Sequence, residues 1–211
     1  MPRITEARQP AEPNSAEQRD RHQRILRAAS KLGAEHGLER MQMNDVAKEA
    51  GVAIATLYRY FPSKTDLFVG VLHSQIRRLG GTAVVGAAAD GSRAAAVAEV
   101  LIAAGRKMLE RSQLATAMLQ ANNMAQLQGG REYTEANSAF HHVLLNALGV
   151  DEPGKEDYRM VRIIEQTWYG ILVSVLNGVV TQDEADEDIR LASRLLLGPS
   201  YDDGGEVARL P

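Results

Sequence analysis

Residues 42–61, with the sequence QMNDVAKEAGVAIATLYRYF, decide the fold of the N-terminal third of the chain. The pattern predicts a short helix from about residue 43 to 50 and a second from about 54 to 61, which ends because Pro62 cannot continue a helix. Between them, Gly51 can adopt the positive φ that a tight turn needs. Two short helices joined by such a turn indicate a helix-turn-helix unit, whose second helix lies in the major groove of DNA.

The second helix of this unit carries side chains suited to DNA. Small residues allow the backbone to approach DNA closely, while hydroxyl groups and a guanidinium group bind phosphates and base edges. A chance match is the alternative interpretation, because any helical hairpin can contain a glycine turn. The residues with these properties are Ala53, Ala55, Thr56, Tyr58, Arg59 and Tyr60, followed by Lys64 at a position suited to a phosphate.

The surrounding sequence is helical throughout, which predicts an all-α fold. Apolar residues recur at helical spacing after Ser15, a candidate N-cap, until Gly33 or Gly37 ends the helix. Ser63 caps the next helix. Further helices are expected at 91–110, 112–128, 131–148, 157–181 and 184–197, and no segment alternates as a strand does. The predicted organisation is a flexible arm (1–15), a helix-turn-helix domain (16–62), a connecting helix (63–80), a ligand-binding and dimerisation domain (81–198) and a tail (199–211).

Composition and charge restrict the possible classes of protein. The 211 residues include no cysteine, which excludes a disulfide-stapled module and a cysteine-ligated metal site. Residues 1–78 hold 13 Lys and Arg against 9 Asp and Glu, a net charge of +4, whereas the remainder carries −7. A basic first third favours a module that faces nucleic acid, although ordinary surface charge is the alternative. No export signal or membrane-spanning run is visible, so we expect a cytoplasmic protein with no membrane partner.

The run AGVxxxTLYRYFPSKxxL at residues 50–67 resembles the signature of the TetR family of bacterial transcriptional regulators. It follows RHQRILRAA (residues 21–29), which is similar to the family's first helix, and the resemblance covers residues 16–75. It implies a homodimeric DNA-binding repressor that a small molecule releases from a palindromic DNA operator. The family's DNA contacts fall by position on Asn44, Ala53, Ile54, Ala55, Thr56, Tyr58, Arg59, Tyr60 and Lys64.

Two positions depart from the family's pattern. Gln42 stands where the family often has Thr, so we expect a weaker side-chain cap. Ile54 stands where Lys or Arg is common, which exchanges a polar contact for an apolar contact with a thymine methyl. We expect Tyr60 to bind a phosphate and Leu57 and Phe61 to belong to the core.

Two further features bear on the ligands of such a regulator. The segments at 42–44 and 52–60 look most like actinobacterial members of the family, including lipid- and steroid-catabolism repressors, which suggests an apolar or acyl-type effector. In the N-terminal arm, Arg3 and Arg8 either reach a minor groove or belong to a solubilising tail.

The predicted helix at 157–181 is apolar nearly all round, which indicates burial on more than one side. A stripe of small residues on it permits close approach of another helix, and we interpret this stripe, with the last helix, as the seam of a symmetric dimer. Packing against a helix of the same chain is the alternative. The predicted dimer residues are Gly170, Ser174, Gly178, Ile189, Ala192, Leu195 and Leu196.

A ligand chamber is expected among the helices spanning 91–181, lined by apolar bulk with a few polar groups. Taken singly, each candidate lining residue fits ordinary core or surface packing better than a ligand contact. The adjacent His141 and His142 diverge on a helix, so we expect no metal site, and we expect no cofactor. A helical carrier or enzyme is the alternative function, but catalytic and nucleotide-binding fingerprints are absent from the sequence. The candidate lining residues are Met108, Met118, Asn122, Phe140, His141, Trp168 and Tyr169.

Overall fold

The computed structural model describes residues 11–82, 92–127 and 140–202, and these residues form helices without a β-strand. The all-α prediction is therefore confirmed for this part of the chain. None of its helices is long and apolar enough to cross a membrane. The helices are α1 (Ala16–Arg40), α2 (Met43–Glu49), α3 (Ile54–Tyr60), α4 (Lys64–Thr82), α5 (Arg93–Leu109), α6 (Ser112–Leu127), α7 (140–147), α8 (Lys155–Leu176) and α9 (Gln182–Tyr201).

The chain divides into two compact units. The N-terminal unit comprises Met1–Ser74 with Gln113–Tyr133, and the C-terminal unit comprises Gln75–Ser112 with Thr134–Pro211. This division differs from the predicted boundary near residue 80, because α6 packs within the N-terminal unit. A Cβ added at Gly33 of α1 would lie 2.5 Å from Phe68 and 3.1 Å from Leu114 of α6.

The glycines of α1 therefore have two separate roles. Gly33 lies inside the helix, where only a residue without a side chain fits against Phe68. Gly37 is the break, with φ of 70° and ψ of −179°, before the last residues of α1. At the other end, the Ser15 side chain accepts a hydrogen bond from the Gln18 N–H, which confirms the predicted cap. Likewise the Asp66 N–H donates to the Ser63 hydroxyl at the start of α4.

The C-terminal unit is built on α5, α8 and α9. The core face of α8 turns Val161, Ile164, Trp168 and Leu172 inward. Gly105 allows α5 to approach closely, since an added Cβ there would lie 3.2 Å from Leu172. The indole N–H of Trp168 donates to the Leu101 carbonyl at 2.9 Å, which satisfies the one polar atom of this buried side chain.

Two carboxylates connect α5 to α9, one of them buried and the other at the start of α5. Asp186 is 4% exposed and accepts two hydrogen bonds from the Arg106 guanidinium, which holds the pKa of Arg106 above its ordinary value. Asp202 follows α9 and caps α5 across the chain, since it accepts from the N–H of Arg93 and the hydroxyl of Ser92. Helix α9 thus runs to Tyr201 although the tail was predicted to begin at 199.

Candidate nucleic-acid interface

The predicted helix-turn-helix is present as α2, a turn, and α3. Gly51 has a φ of +63°, the left-handed conformation that glycine adopts without a steric penalty. Its N–H donates to the Lys48 carbonyl at 3.1 Å, and the Val52 N–H donates to the Ala47 carbonyl at 3.0 Å. These two bonds make a Schellman motif, which ends α2 and redirects the chain into α3. Gln42, for which a weaker cap was predicted, makes no side-chain cap at the start of α2.

One face of the two helices belongs to the hydrophobic core. Val46 and Leu57 are fully buried, and Phe61 is 5% exposed. The core assignments of Leu57 and Phe61 are thereby confirmed. Because α2 and α3 have only 7 residues each, burial of this face is the main source of their stability.

The opposite face is turned to solvent and carries most of the predicted contact residues. Thr56 is half-buried, at the edge of that face. The side chains combine a small apolar surface near the start of α3 with a phenol, a hydroxyl and a guanidinium further along. Phosphates and base edges of DNA are bound by such groups. The exposed members are Asn44, Ala53, Ile54, Ala55, Tyr58 and Arg59.

Tyr60 departs from its predicted role. The residue is 2% exposed, and its ring packs edge-on against His22 of α1 at a centroid distance of 5.6 Å. Its hydroxyl accepts a hydrogen bond from the Arg59 guanidinium at 3.2 Å. The ring is therefore part of the core rather than an exposed phosphate ligand, and its polar atom orients the neighbouring arginine.

Lys64 also has a partner within the chain. Its ammonium donates to the Glu39 carbonyl at 3.2 Å, at the end of α1. The side chain is half-buried at the first residue of α4. A phosphate contact by Lys64 stays a prediction, and such a contact would share or replace this bond.

The segment just before α1 contacts the helix-turn-helix. The Ala11 N–H donates to the Arg59 carbonyl at 3.0 Å, so the chain lies beside the C-terminal end of α3 before α1 begins. The flexible arm predicted for residues 1–15 stays a prediction, and for residue 11 the structure adds this backbone contact. Arg3 and Arg8 lie outside the described residues.

Two basic residues of α1 that the sequence analysis did not select contact the end of α2. Arg24 donates to the Ala50 carbonyl at 2.9 Å, and the Lys31 ammonium lies 2.7 Å from the Glu49 carboxylate. The hydrogen bond to Glu49 raises the pKa of Lys31. Their spacing of seven residues, which places them on one face of a helix, was the only signal in the sequence.

The residues predicted to line a ligand chamber fall in both units. Met118 and Asn122 are buried in the N-terminal unit, whereas the other five lie in the C-terminal unit. Within the latter, the rings of Phe140 and Trp168 pack against each other at a centroid distance of 5.2 Å and an interplanar angle of 36°. Met108 is buried in the same unit, and Tyr169 is half-buried, with a pKa that burial raises.

A polar pair lies one helical turn from this aromatic contact, because Glu165 precedes Trp168 by three residues on α8. His141 Nε2 is 2.8 Å from Glu165 Oε2, and the two side chains are only 12% and 15% exposed. Glu165 was missed by the sequence analysis, although a carboxylate within an apolar helix is a visible signal. No group of three or more His, Asp or Glu that could hold a metal ion occurs in the part of the chain that the structure describes.

The predicted dimer residues differ in how far they are exposed to solvent. Gly170 is exposed with open space at its Cβ position, Leu195 is 68% exposed, and Ser174, Ala192 and Leu196 are half-buried. Leu191, which was not predicted, adds a further exposed side chain one turn before Leu195.

Two of the dimer assignments require correction. Ile189 is 3% exposed and thus covered within a single chain. Gly178 is not in a helix, because α8 ends at Leu176 rather than near 181. Gly178 has a φ of +70°, and the Val179 N–H donates to the Ser174 carbonyl at 2.9 Å. The small-residue stripe therefore stops at Ser174, and Gly178 forms the helix end.

Comparison with known proteins identifies two matching family models. Residues 25–71 match the model described as bacterial regulatory proteins, tetR family. Residues 91–196 match the model described as Tetracyclin repressor-like, C-terminal domain.

Individual relatives and solved structures agree with these matches. The HTH-type transcriptional repressor KstR of Mycolicibacterium smegmatis is 30% identical over 188 residues, which covers 89% of this chain and 92% of the relative. A TetR transcriptional regulator from Rhodococcus sp. RHA1, known from its crystal structure, is 45% identical with a TM-score of 0.80, over 86% of this chain and 97% of that one. FadR of Thermus thermophilus, solved in complex with lauroyl-CoA, has a TM-score of 0.64 at 17% identity, over 90% and 98% of the two chains, and this likeness shows the fold alone.

Proposed function

Because the chain belongs to the TetR family of bacterial transcriptional regulators, and is thus a DNA-binding regulator, we propose that it is a homodimeric repressor with a palindromic operator, released by a small apolar molecule. It acts on DNA in the cytoplasm and has no catalytic role. The observation that supports sequence recognition by α3 is that one face of this helix is buried and the other is exposed. Leu57 is fully buried, whereas Tyr58 is 48% exposed and Ile54 36% exposed.

The sequence preference comes from the exposed face of α3. Thr56 and Arg59 can donate hydrogen bonds to base edges in the major groove. Ile54 offers an apolar contact to a thymine methyl. Lys64, half-buried at the start of α4, supplies a phosphate contact that fixes register without reading sequence.

The test of DNA reading is selection of genomic DNA fragments by the purified protein, followed by sequencing and gel-shift titration of the retained fragments. We expect one recurring sequence with two-fold symmetry, bound more tightly than random duplex. An Arg59→Ala variant should lose this preference, whereas the matched Arg27→Ala variant, which changes an exposed arginine of α1, should keep it. Retention of no fragment by the folded protein would contradict the proposal and favour a helical carrier or enzyme.

Dimerisation is proposed to use the exposed surfaces of α8 and α9. Leu191 and Leu195 lie one turn apart on α9, and Gly170 leaves open space on α8. Two recognition helices must be held about one DNA turn apart to bind two half-sites. Sedimentation of a Leu195→Glu variant should show a monomer with weakened operator binding. A dimer of unchanged stability would contradict this assignment.

The effector site is proposed to lie in the C-terminal unit beside Phe140 and Trp168. These rings supply apolar surface, and the adjacent His141–Glu165 pair supplies hydrogen-bonding atoms for the polar end of the ligand. Such a site suits an apolar or acyl-type molecule. Met118 and Asn122 are not part of this proposal.

Trp168 is the single tryptophan of the chain and therefore reports on this site by fluorescence. Lauroyl-CoA is a suitable apolar probe, with coenzyme A alone as the polar control. We expect lauroyl-CoA to change the emission of Trp168 and to release operator DNA, and we expect His141→Gln to weaken both effects. The matched variant His142→Gln, at the exposed neighbouring position, should bind as the wild type does. Equal effects of the two variants would place the site elsewhere.

A further inference from the structure

The C-terminal end of α2 leaves a carbonyl that its own chain segment does not satisfy. The Schellman motif at Gly51 satisfies the carbonyls of Ala47 and Lys48. The carbonyl of Ala50 instead accepts a hydrogen bond from Nη1 of Arg24, 26 residues earlier, at 2.9 Å. Since Ala50 is 5% exposed, this is a part-buried bond to a charged donor. Bonds of that kind are stronger than those between neutral groups.

Arg24 is held in place for this contact. Its Nε donates to Asp20 one turn earlier at 3.2 Å, while Nη1 points to the turn. A Cβ added at Gly51 would lie 3.4 Å from the same Nη1, so the guanidinium lies directly against the turn. Lys31, on the same face of α1, pairs with Glu49 at the last residue of α2. Both cations lie at the negative end of the α2 dipole, where positive charge is favourable.

This arrangement controls the direction of α3 because the turn is short. Only three residues separate Ala50 from Ile54, the first residue of α3. A helix of seven residues is about 10 Å long, so a tilt of about 10° at the turn displaces its far end by about 2 Å. Binding groups must be held to about 0.5 Å of their productive geometry. A contact that fixes the turn therefore fixes the register of α3 on DNA.

We propose that Arg24 is a positioning residue for DNA recognition, which clamps the α2–α3 turn to α1 and so sets the angle of α3. Its role differs from that of a DNA contact. A positioning residue raises the fraction of molecules with α3 in the binding-competent orientation, and the apparent dissociation constant varies inversely with that fraction. A residue that binds a phosphate instead contributes to the salt dependence of binding.

The experiment compares Arg24→Met, Arg24→Lys and Arg27→Met with the wild type, at a temperature where circular dichroism shows all four to be folded. Arg27 is the matched control, because it is an exposed arginine of α1 with no partner among the described residues. The probe is the duplex that the wild-type protein selects from genomic DNA, with a random duplex of equal length for comparison. Affinities are measured over a range of salt concentrations.

We expect Arg24→Met to weaken binding to the selected duplex by about tenfold, the lower end of the loss expected for one hydrogen bond to a charged group. Binding to the random duplex should change by less than about twofold, since phosphate contacts dominate it. The slope of affinity against salt should equal that of the wild type. Arg24→Lys should recover part of the loss because an ammonium can still donate to the Ala50 carbonyl. Arg27→Met should behave as the wild type.

Hydrogen exchange supplies a second measurement that does not need DNA. The Val52 N–H is bonded to the Ala47 carbonyl, and it should exchange faster in Arg24→Met than in the wild type. In Arg27→Met its exchange rate should equal that of the wild type.

Several results would overturn the inference. Unchanged affinity in Arg24→Met, or equal loss on the selected and random duplexes, would show that the clamp does not set recognition. A salt slope reduced by about 0.9 would show that Arg24 binds a phosphate directly. The inference rests on DNA binding by α3, but its failure is distinguishable, because a wild-type protein that retains no DNA would contradict the proposed function first.

Discussion

The turns at Gly51 and Gly178 have the same local structure but different consequences. Each glycine has a positive φ, and at each the following valine donates to a carbonyl five residues earlier, Ala47 in one case and Ser174 in the other. The first turn leads into α3, whose exposed face carries the predicted DNA contacts. The second joins α8 to α9 within the C-terminal unit. A shared capping motif therefore identifies the end of a helix but does not indicate the function of the next helix.

The difference also explains why only one of the two turns was predicted. Gly51 follows a helix with a narrow apolar face, and the helical spacing of apolar residues is interrupted at this glycine. Gly178 lies in the run ILVSVLNGVV, where apolar residues continue on both sides of the helix end. Periodicity does not reveal a boundary inside such a run, so α8 was extended by about five residues.

The largest expected effect comes from truncating the core beneath α3. Leu57→Ala removes a fully buried side chain and should lower the free energy of unfolding by about 2–5 kcal/mol. Calorimetry and gel shift measure stability and operator binding. The matched variant is Leu172→Ala, at a 1% exposed position of α8, which should destabilise comparably. Its folded fraction should still bind DNA, and loss of that binding would contradict the separate roles of the two regions.

The two glycines provide a direct comparison of the turns. Gly51→Ala and Gly178→Ala each force a side chain into the left-handed region, which costs about 1–2 kcal/mol. No atom lies within 4 Å of an added Cβ at Gly178, so its cost is backbone strain alone. We expect similar losses in thermal stability but weakened operator binding only for Gly51→Ala. Equal weakening in both variants would show that the α2–α3 turn has no special role.

Within the helix-turn-helix, substitutions should distinguish residues that contact base edges from residues that contact DNA phosphates. Thr56→Ala should change sequence preference, with a loss of about 1–3 kcal/mol on the best duplex. Lys64→Ala should weaken binding to all duplexes and reduce the salt slope by about one unit. Competition gel shifts against random duplex distinguish these outcomes. Identical losses on both duplexes for Thr56→Ala would refute a reading role.

The smallest expected effect lies at the start of α9. Glu184 accepts hydrogen bonds from the Thr181 N–H and hydroxyl, and the former chiefly lowers its pKa below the ordinary value of 4.5. Because the folded-state pKa is lowered, the stabilisation is complete above pH 4.5 and disappears as the pH falls through the folded value. The thermal midpoint of Glu184→Gln should be slightly lower than that of the wild type at pH 7.

This difference in midpoint should shrink to nothing at low pH. Glu187→Gln, an exposed position on the same helix, should match the wild type throughout. A difference that persists well below pH 4.5 would show that the carboxylate is not the source.

The helix-turn-helix was predictable because its signals are local. The hydrogen bonds at Ser15, Ser63 and the Gly51 turn join residues at most five positions apart. Both partners of each bond can therefore be seen in a short stretch of sequence. Tyr60 was assigned wrongly because its burial depends on His22, 38 positions earlier. The clamp by Arg24 is a contact of the same long-range kind, and a basic residue on α1 does not reveal its partner.

The C-terminal unit was less predictable because its packing combines distant segments. Ile189 has the apolar character of an interface residue, but its burial within one chain depends on how α9 packs. The Asp202 cap of α5 joins residues more than one hundred positions apart. The sequence thus predicts helices in this unit, whereas the partners of their faces come only from the structure.

The proposed function requires α3 to enter the major groove of DNA twice in each dimer. Protection of guanine N7, an atom of the major groove, from methylation tests it most directly on the selected duplex. We predict two protected clusters whose centres lie about one helical turn apart, and loss of both in Arg59→Ala. Protection confined to minor-groove adenines, or no protection at a concentration that saturates the duplex, would contradict the claim.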